Sequence, residues 1–384
     1  MTMTRHSGAR TKSANPESIT TAVPVLNRPW LWIPDSRCAA SGMTIMGAIA
    51  CLSIIASMLI TCMSAQADDA LYEAAKKEGQ VVWYTSLIVN QAVRPLVEAF
   101  NKKYPGVEVK YARGDSGPNA IKVINEARAG RVEGDVFDGI ATTGPLLKAG
   151  LVESFTPSEA NKYPPALRDP EGRWNALVVY FLTPGINAQL VGADEIKTAQ
   201  DLLNPKWQGK IAWSTEPSSG APGYVGSALQ TMGEDKGMAF LRALAKQDIV
   251  NVDATNRAIL DQVILGQYAI ALSIFNHHAV VSAKKGAPVA WLKVEPIPAP
   301  FHSIGLVKNA PHPNAGKLLI DFLLSEEGQR TFADVDYLPA MPSVPAKTPE
   351  VKPEAGGFSA NFISPATASD NIDRWVKIKK ELFN

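Results

Sequence analysis

The chain has 384 residues, 46% hydrophobic and 20% charged, values of a globular protein rather than a disordered or fibrous one. Its formal net charge is +1; residues 1–67 hold five Lys/Arg and two Asp/Glu, which leaves 33 against 35, or −2, for the remainder. No basic surplus exists to neutralise phosphates, so nucleic acid is a poor expectation as a partner. All three cysteines, Cys38, Cys51 and Cys62, precede residue 68. From residue 68 onward the chain therefore has no disulfide, thiolate metal site or cysteine nucleophile.

Met43–Met63 is an uncharged apolar run preceded by Arg37 and followed by Ala65-Gln66-Ala67, the small-x-small pattern of a signal-peptide cleavage site. This predicts export to the periplasm with cleavage after Ala67. A lipid or membrane anchor is the rival, since the run is long for a signal-peptide core and Leu59-Ile60-Thr61-Cys62 approximates a lipoprotein box. Residues 1–42 show no periodicity, and Met43 would serve as a start.

From Asp68 the pattern is α/β. Leu71–Glu78 reads as a helix and Gln80–Tyr84 as a buried strand ending in Thr85-Ser86. Val93, Leu96, Val97 and Phe100 recur at helical spacing, and Val107–Tyr111 alternates as a strand. Gly114-Asp115-Ser116-Gly117 reads as a turn, although the same string surrounds a protease nucleophile elsewhere, and Asn119–Ala129 reads as a helix. Asp135–Ala141 is a third strand, emptying into Thr142-Thr143-Gly144. Trp174–Ile186 is one apolar run broken at Pro184-Gly185, leading out of a first lobe. Lys210–Ser214 is a strand that runs into Ser218, Ser219 and Gly220 before a helix near Ala221. Helices follow over Asp235–Ala245 and around Ile259, then the strand Tyr268–Phe275. Glu295–Pro300 reads as a return crossing, Ser303–Val307 as a strand and Ala315–Leu324 as a helix. A proline-rich strap (Pro339–Pro353) and a terminal helix (Asn371–Leu382) complete the chain.

Three strands thus discharge hydroxyl residues beside a helix start, where unpaired N–H groups and the helix dipole favour an anion. An ordinary N-cap would use Ser218 or Ser219 only for the helix's own donors. In open α/β sheets, however, ligands sit beyond the carboxyl ends of strands, and the recurrence favours a polar cleft. Among nearby aromatics, Trp83 and Trp213 are expected in the core, and Tyr84 is left open.

Several stretches together resemble the solute-binding proteins of ABC importers, in particular the ferric-iron-binding family: VVWYTS, VEAFNKKYPGVEV, DVFDGIATTGPLLKAGLVE, LLNPKWQGKIAWS, GKLLIDFLLSEEGQRTFA and YLPAMPSVP. The resemblance covers essentially Asp68–Asn384. It implies an α/β, two-lobed type II periplasmic-binding-protein fold with a hinge and interlobe cleft. Lobe 1 would hold 68–180 plus 301–345, and lobe 2 would hold 181–300 plus 346–384. It also implies an ABC permease as partner, a monomer, no cofactor and no catalysis.

Iron-binding members usually carry two adjacent tyrosines where this chain has Phe275-Asn276-His277-His278. The family's further His and Glu fall near Leu87 or Ile88, and near Ile140. Imidazole suits Zn, Ni or Cu better than Fe(III), so His277 and His278 are the only metal-ligand candidates. Adjacent residues on a strand face opposite ways, and on a helix stand about 100° apart; one ligand-facing histidine is the expectation. The family's anion site maps onto Ser219, Gly220, Ala221, Asn256 and Asn276. Fe(III) with a carried anion is the solute the resemblance implies by default, while a small organic anion better fits these residues; either is expected to dock its anion on lobe 2, with Thr85, Ser86, Thr142 and Thr143 closing from lobe 1. The alternatives are a ligand-presenting sensory receptor and, more remotely, a hydrolase pairing Ser219 with His277; no G-x-S-x-G elbow supports the latter.

Overall fold

The stripe Leu96 and Phe100, buried on one face of a helix whose last turn carries Lys102 and Lys103, sets the first βαβ unit against its sheet. In this computed structural model the described residues are 69–192, 194–216 and 219–384. The expected signal peptide and its expected cleavage point, the three cysteines and Ser218 lie outside them. A helix over 69–78 (α1) leads into β1 (Gln80–Thr85), α2 (Arg94–Lys103), β2 (Glu108–Arg113), α3 (Ser116–Arg128), β3 (Val136–Gly139), α4 (Thr143–Lys148), β4 (Val152–Glu153) and β5 (Asn175–Val179). Next come β6 (Leu182–Asn187), β7 (Ile211–Ser214), α5 (Ala221–Met232), α6 (Glu234–Ala245), β8 (Val250–Val252), α7 (Asn256–Ile264), β9 (Ile270–Phe275), α8 (Asn276–Lys284) and β10 (Val289–Trp291). The chain finishes with β11 (Pro298–Ala299), β12 (Phe301–Val307), α9 (Pro313–Leu324), α10 (Glu326–Asp334), α11 (Pro353–Gly356), β13 (Asn361–Phe362) and α12 (Pro365–Phe383).

Two sheets result. The first has the order β2-β1-β3-β12-β4, with β5 also on β12; β1 runs parallel to β2 and β3, and β12 antiparallel to β3, β4 and β5. The second has the order β10-β6-β9-β7-β8, with β7 parallel to β8 and β9. Each sheet has its own apolar core: Trp83, Phe100 and Phe322 are in the first, Trp213, Tyr224 and Leu241 in the second.

Two expectations are corrected here. The run Trp174–Ile186 is two strands, not one: it breaks at Tyr180-Phe181, and Pro184 lies inside β6. Pro184 is tolerated because the register against β9 shifts between Thr183 and Gly185, a bulge that needs no N–H at that point. Ser116 and Gly117, expected in a turn, already form the first turn of α3.

The lobes are joined where β5 passes into β6 and where β11 passes into β12. Tyr180 N donates to Pro300 O at 2.9 Å and ties these crossings together. The strap stays with the first core through Ala346 and Val351. β13 then pairs with β11, and α12 packs on α5 and α6 while also meeting α4. Gly144 and Gly226 permit that close approach: an added Cβ at Gly144 would lie 2.6 Å from Ser369 Cβ, and one at Gly226 would strike the Trp375 indole.

Candidate functional site

In the second lobe three helices begin at the ends of β7, β8 and β9. Ser219 and Gly220 precede α5, and a Cβ on Gly220 would overlap the carbonyls of Ser214 and Glu216, so only glycine lets the chain turn so tightly. Ala221, the first residue of α5, is buried. Asn256 opens α7 and its Nδ2 donates to Ser219 O at 2.7 Å, which locks two helix starts together. Asn276 opens α8 and its Nδ2 donates to Val351 O at 2.8 Å. The Oδ1 atoms of Asn256 and Asn276 are buried without a partner. Ser219 Oγ donates to Glu216 Oε2 at 3.0 Å.

Because α8 starts at Asn276, His277 and His278 lie in its first turn rather than on a strand. Their ring centroids are 4.3 Å apart, and each Nδ1 is shielded without a partner. Burial pushes the His277 imidazole down to about 3, with His278 beside it adding to the effect. Burial, helped by the Arg257 charge, brings His278 down to about 4. Both rings are neutral at neutral pH. Among the described residues no group of three or more His, Cys, Asp or Glu side chains could hold a metal ion.

In the first lobe three expected hydroxyls are spent on the backbone or on another side chain. Thr85 Oγ1 accepts from Leu87 N at 3.1 Å, Thr142 Oγ1 donates to Ser116 O and Asp138 O, and Thr143 Oγ1 pairs with Ser303 Oγ at 2.7 Å. Ser86 differs. Its N and Oγ both donate to Asp138 Oδ1, at 3.2 and 3.3 Å. Asp138 is 0% exposed, and the same oxygen meets His302 Nδ1 at 3.2 Å while Oδ2 has no partner. The Tyr180 ring stands 5.6 Å from His302 and 6.1 Å from His277, so it spans from the first-lobe cluster to the start of α8. Burial raises the phenols of Tyr180 and Tyr337 above their ordinary value, Tyr180 well above it, with the charge of Asp138 adding to the effect; both are neutral.

Sequence reasoning missed Asp138, His302 and Tyr180. The available signal was a carboxylate inside the short buried strand VFDG, since an aspartate is rarely buried without a partner. Tyr84, left open, turns away from this cluster: it is 2% exposed and its hydroxyl donates to Glu126 at 2.7 Å. Trp83 and Trp213 are core residues, both 0% exposed. Beside the site, between the starts of α4 and α5, lies a cavity of about 180 Å³ lined by Ile140, Gly144, Leu182, Gly223, Phe301 and Trp375 among others. Its walls are chiefly apolar and suit a carbon skeleton.

A model of the bacterial extracellular solute-binding proteins matches residues 95–357. The chain belongs to this family. It is 26% identical over 302 residues to a putative 2-aminoethylphosphonate-binding periplasmic protein of Salmonella typhimurium, covering 73% of this chain and 86% of the relative. It is 28% identical over 225 residues to iron uptake protein A2 of Synechocystis, covering 52% of this chain and 62% of the relative. The fold is similar to that of Trichodesmium FutA in complex with iron and citrate, with a TM-score of 0.68 at 20% identity, covering 79% of this chain and 99% of that one. It is likewise similar to AfuA of Actinobacillus pleuropneumoniae with fructose-6-phosphate bound, with a TM-score of 0.63 at 21% identity, covering 79% and 98%. The fold is thus the type II periplasmic-binding-protein fold, and the role is that of the solute-binding component of an ABC importer.

Proposed function

We propose that the imported solute is a small organic anion of the phosphonate or phosphate-ester class rather than bare Fe(III). The observation that carries this reading is Phe275-Asn276-His277-His278 at the place of the tyrosine pair, with both imidazoles held neutral by burial. Neutral imidazoles are poor substitutes for two hard phenolates toward Fe(III). The anion docks at the helix starts formed by Ser219, Gly220, Ala221, Asn256 and Asn276, with His277 and His278 as neutral hydrogen-bonding neighbours. Ser86 closes from the first lobe, while Thr85, Thr142 and Thr143 hold the strand ends in shape. The mature chain works in the periplasm after cleavage following Ala67 and hands its solute to an inner-membrane permease. Its role is binding rather than catalysis: Ser219 Oγ is engaged by Glu216, and among the described residues no histidine is hydrogen-bonded to it.

A thermal-shift screen of the mature chain against ferric citrate, divalent metals, phosphonates, phosphate esters and small carboxylates tests this. A ligand that binds only the native state raises Tm according to its excess over Kd. A shift with phosphonates or phosphate esters and none with metals is the expected result. A shift with Fe(III) alone would overturn the reading.

A further inference from the structure

Building on the anionic-solute reading, we infer that the solute also carries an ammonium group, and that Asp138 receives it. A carboxylate in the interior is tolerated when its oxygens are paired, and an unpaired one is costly. Asp138 satisfies half of that condition. Oδ1 takes the Ser86 N–H, the Ser86 hydroxyl and His302 Nδ1, whereas Oδ2 is buried with nothing to accept from. Among the described residues no lysine or arginine forms an ion pair with Asp138, whose contact there is the His302 ring.

The surroundings suit a cation too. Tyr180 packs against Phe275 at 5.2 Å, His277 at 6.1 Å and His302 at 5.6 Å between ring centroids, so an aromatic cluster adjoins the histidine that contacts the carboxylate. Ring faces attract an ammonium, and more so when water is excluded. A protonated amine reaching Oδ2 would supply the missing donor and gain those faces. Through Tyr180 the cluster adjoins the start of α8, where the anionic end is placed. The solute class is therefore an aminoalkyl phosphonate or the matching amino phosphate ester, with the amine on the first lobe and the acid on the second. Binding both ends would draw the lobes together.

Calorimetric titration of the mature chain with 2-aminoethylphosphonate, O-phosphoethanolamine and ethylphosphonate tests the inference, since ethylphosphonate lacks only the amine. Both amine-bearing ligands should bind at least about tenfold more tightly than ethylphosphonate, as expected for a charge-assisted hydrogen bond. Asp138→Asn should cost the amine-bearing ligands at least about tenfold more than it costs ethylphosphonate, closing the gap between them. Equal affinity of all three for the wild-type chain overturns the inference while leaving the anion reading intact. A loss in Asp138→Asn that is equal for all three also overturns it, by making Asp138 structural only. Binding of none of them sinks both.

Discussion

His302 Nδ1 lies 3.2 Å from Asp138 Oδ1 although 164 residues separate the two in the chain. The contact joins β12 to β3 at the edge of the interlobe site, where the strands pair Ile304 with Asp138 and Ser303 with Gly139. His302→Ala removes one of the three donors on that oxygen. The expected loss of stability is about 1–3 kcal/mol, the usual cost of depriving a buried polar group of a partner. Urea denaturation should show a lower midpoint at unchanged slope. A midpoint equal to that of the wild-type chain would show that the contact is energetically idle.

The neutral pair His277 and His278 makes the fold sensitive to acid. The folded-state values are about 3 and about 4, against an ordinary 6.5. Below pH 6.5 the unfolded chain takes up protons at these histidines while the folded chain does not. Their contribution is therefore fully present above pH 6.5 and is lost as pH falls toward 4 for His278 and toward 3 for His277, each unit of displacement being worth about 1.4 kcal/mol per group. Tm of the wild-type chain should fall across this window. In a His277→Gln/His278→Gln chain the fall should be visibly shallower; equal slopes would contradict the assignment.

Lys352 holds the strap. It is 4% exposed, and its Nζ donates to the carbonyls of Pro339, Met341 and Val344 at 3.0, 3.4 and 3.2 Å. Lys352→Met leaves those acceptors unpaired, and a loss of about 1–3 kcal/mol is expected from the desolvation cost of such groups. Burial lowers the ammonium below its ordinary 10.5. Just below pH 10.5 the unfolded chain thus binds more protons at this site, so stability rises with pH there. Denaturation midpoints measured up to pH 10.5 should show the rise in the wild-type chain and lose it in the variant.

The seat of α12 depends on two glycines. Gly226→Ala would press a methyl into the Trp375 indole, and Gly144→Ala would press one against Ser369. Overpacking of this kind costs about 1–3 kcal/mol. Each variant should melt lower, and limited proteolysis should cut α12 sooner than in the wild-type chain. Wild-type cleavage rates in both would mean that α12 shifts without loss.

Local pattern carried much of the fold. The stripe of Leu96 and Phe100 and the alternation of β2 were readable because each buries one face. Trp174–Ile186 was not, since Asn175–Val179 and Leu182–Asn187 are buried at every position and leave no period to mark the break at Tyr180. In the site, the helix start at Ala221 was legible because Ser219 and Gly220 mark it, whereas Asn256 and Asn276 were reached through the family resemblance, as ligand positions and not as the helix starts they are. The Asp138 cluster was not. Its partners Ser86, Tyr180 and His302 come from separate strand ends, and nothing local distinguishes them. Thr85, Thr142 and Thr143 looked like cleft hydroxyls for the converse reason: a hydroxyl engaged by backbone or by a distant side chain has the same sequence signature as one that awaits a ligand.

The position of β12 also governs how the molecule can be assembled. Residues 301–307 supply the strand on which β3, β4 and β5 all pair, so the first sheet stays incomplete until the chain has passed through every strand of the second sheet. A fragment ending at residue 180 would lack that strand, leaving β4 and β5 without their neighbour and one edge of β3 open. The lobes are consequently not independent folding units, and long-range closure of this kind slows folding. Scanning calorimetry of the mature chain should give one cooperative transition rather than two, and neither lobe should be recoverable as a folded contiguous fragment.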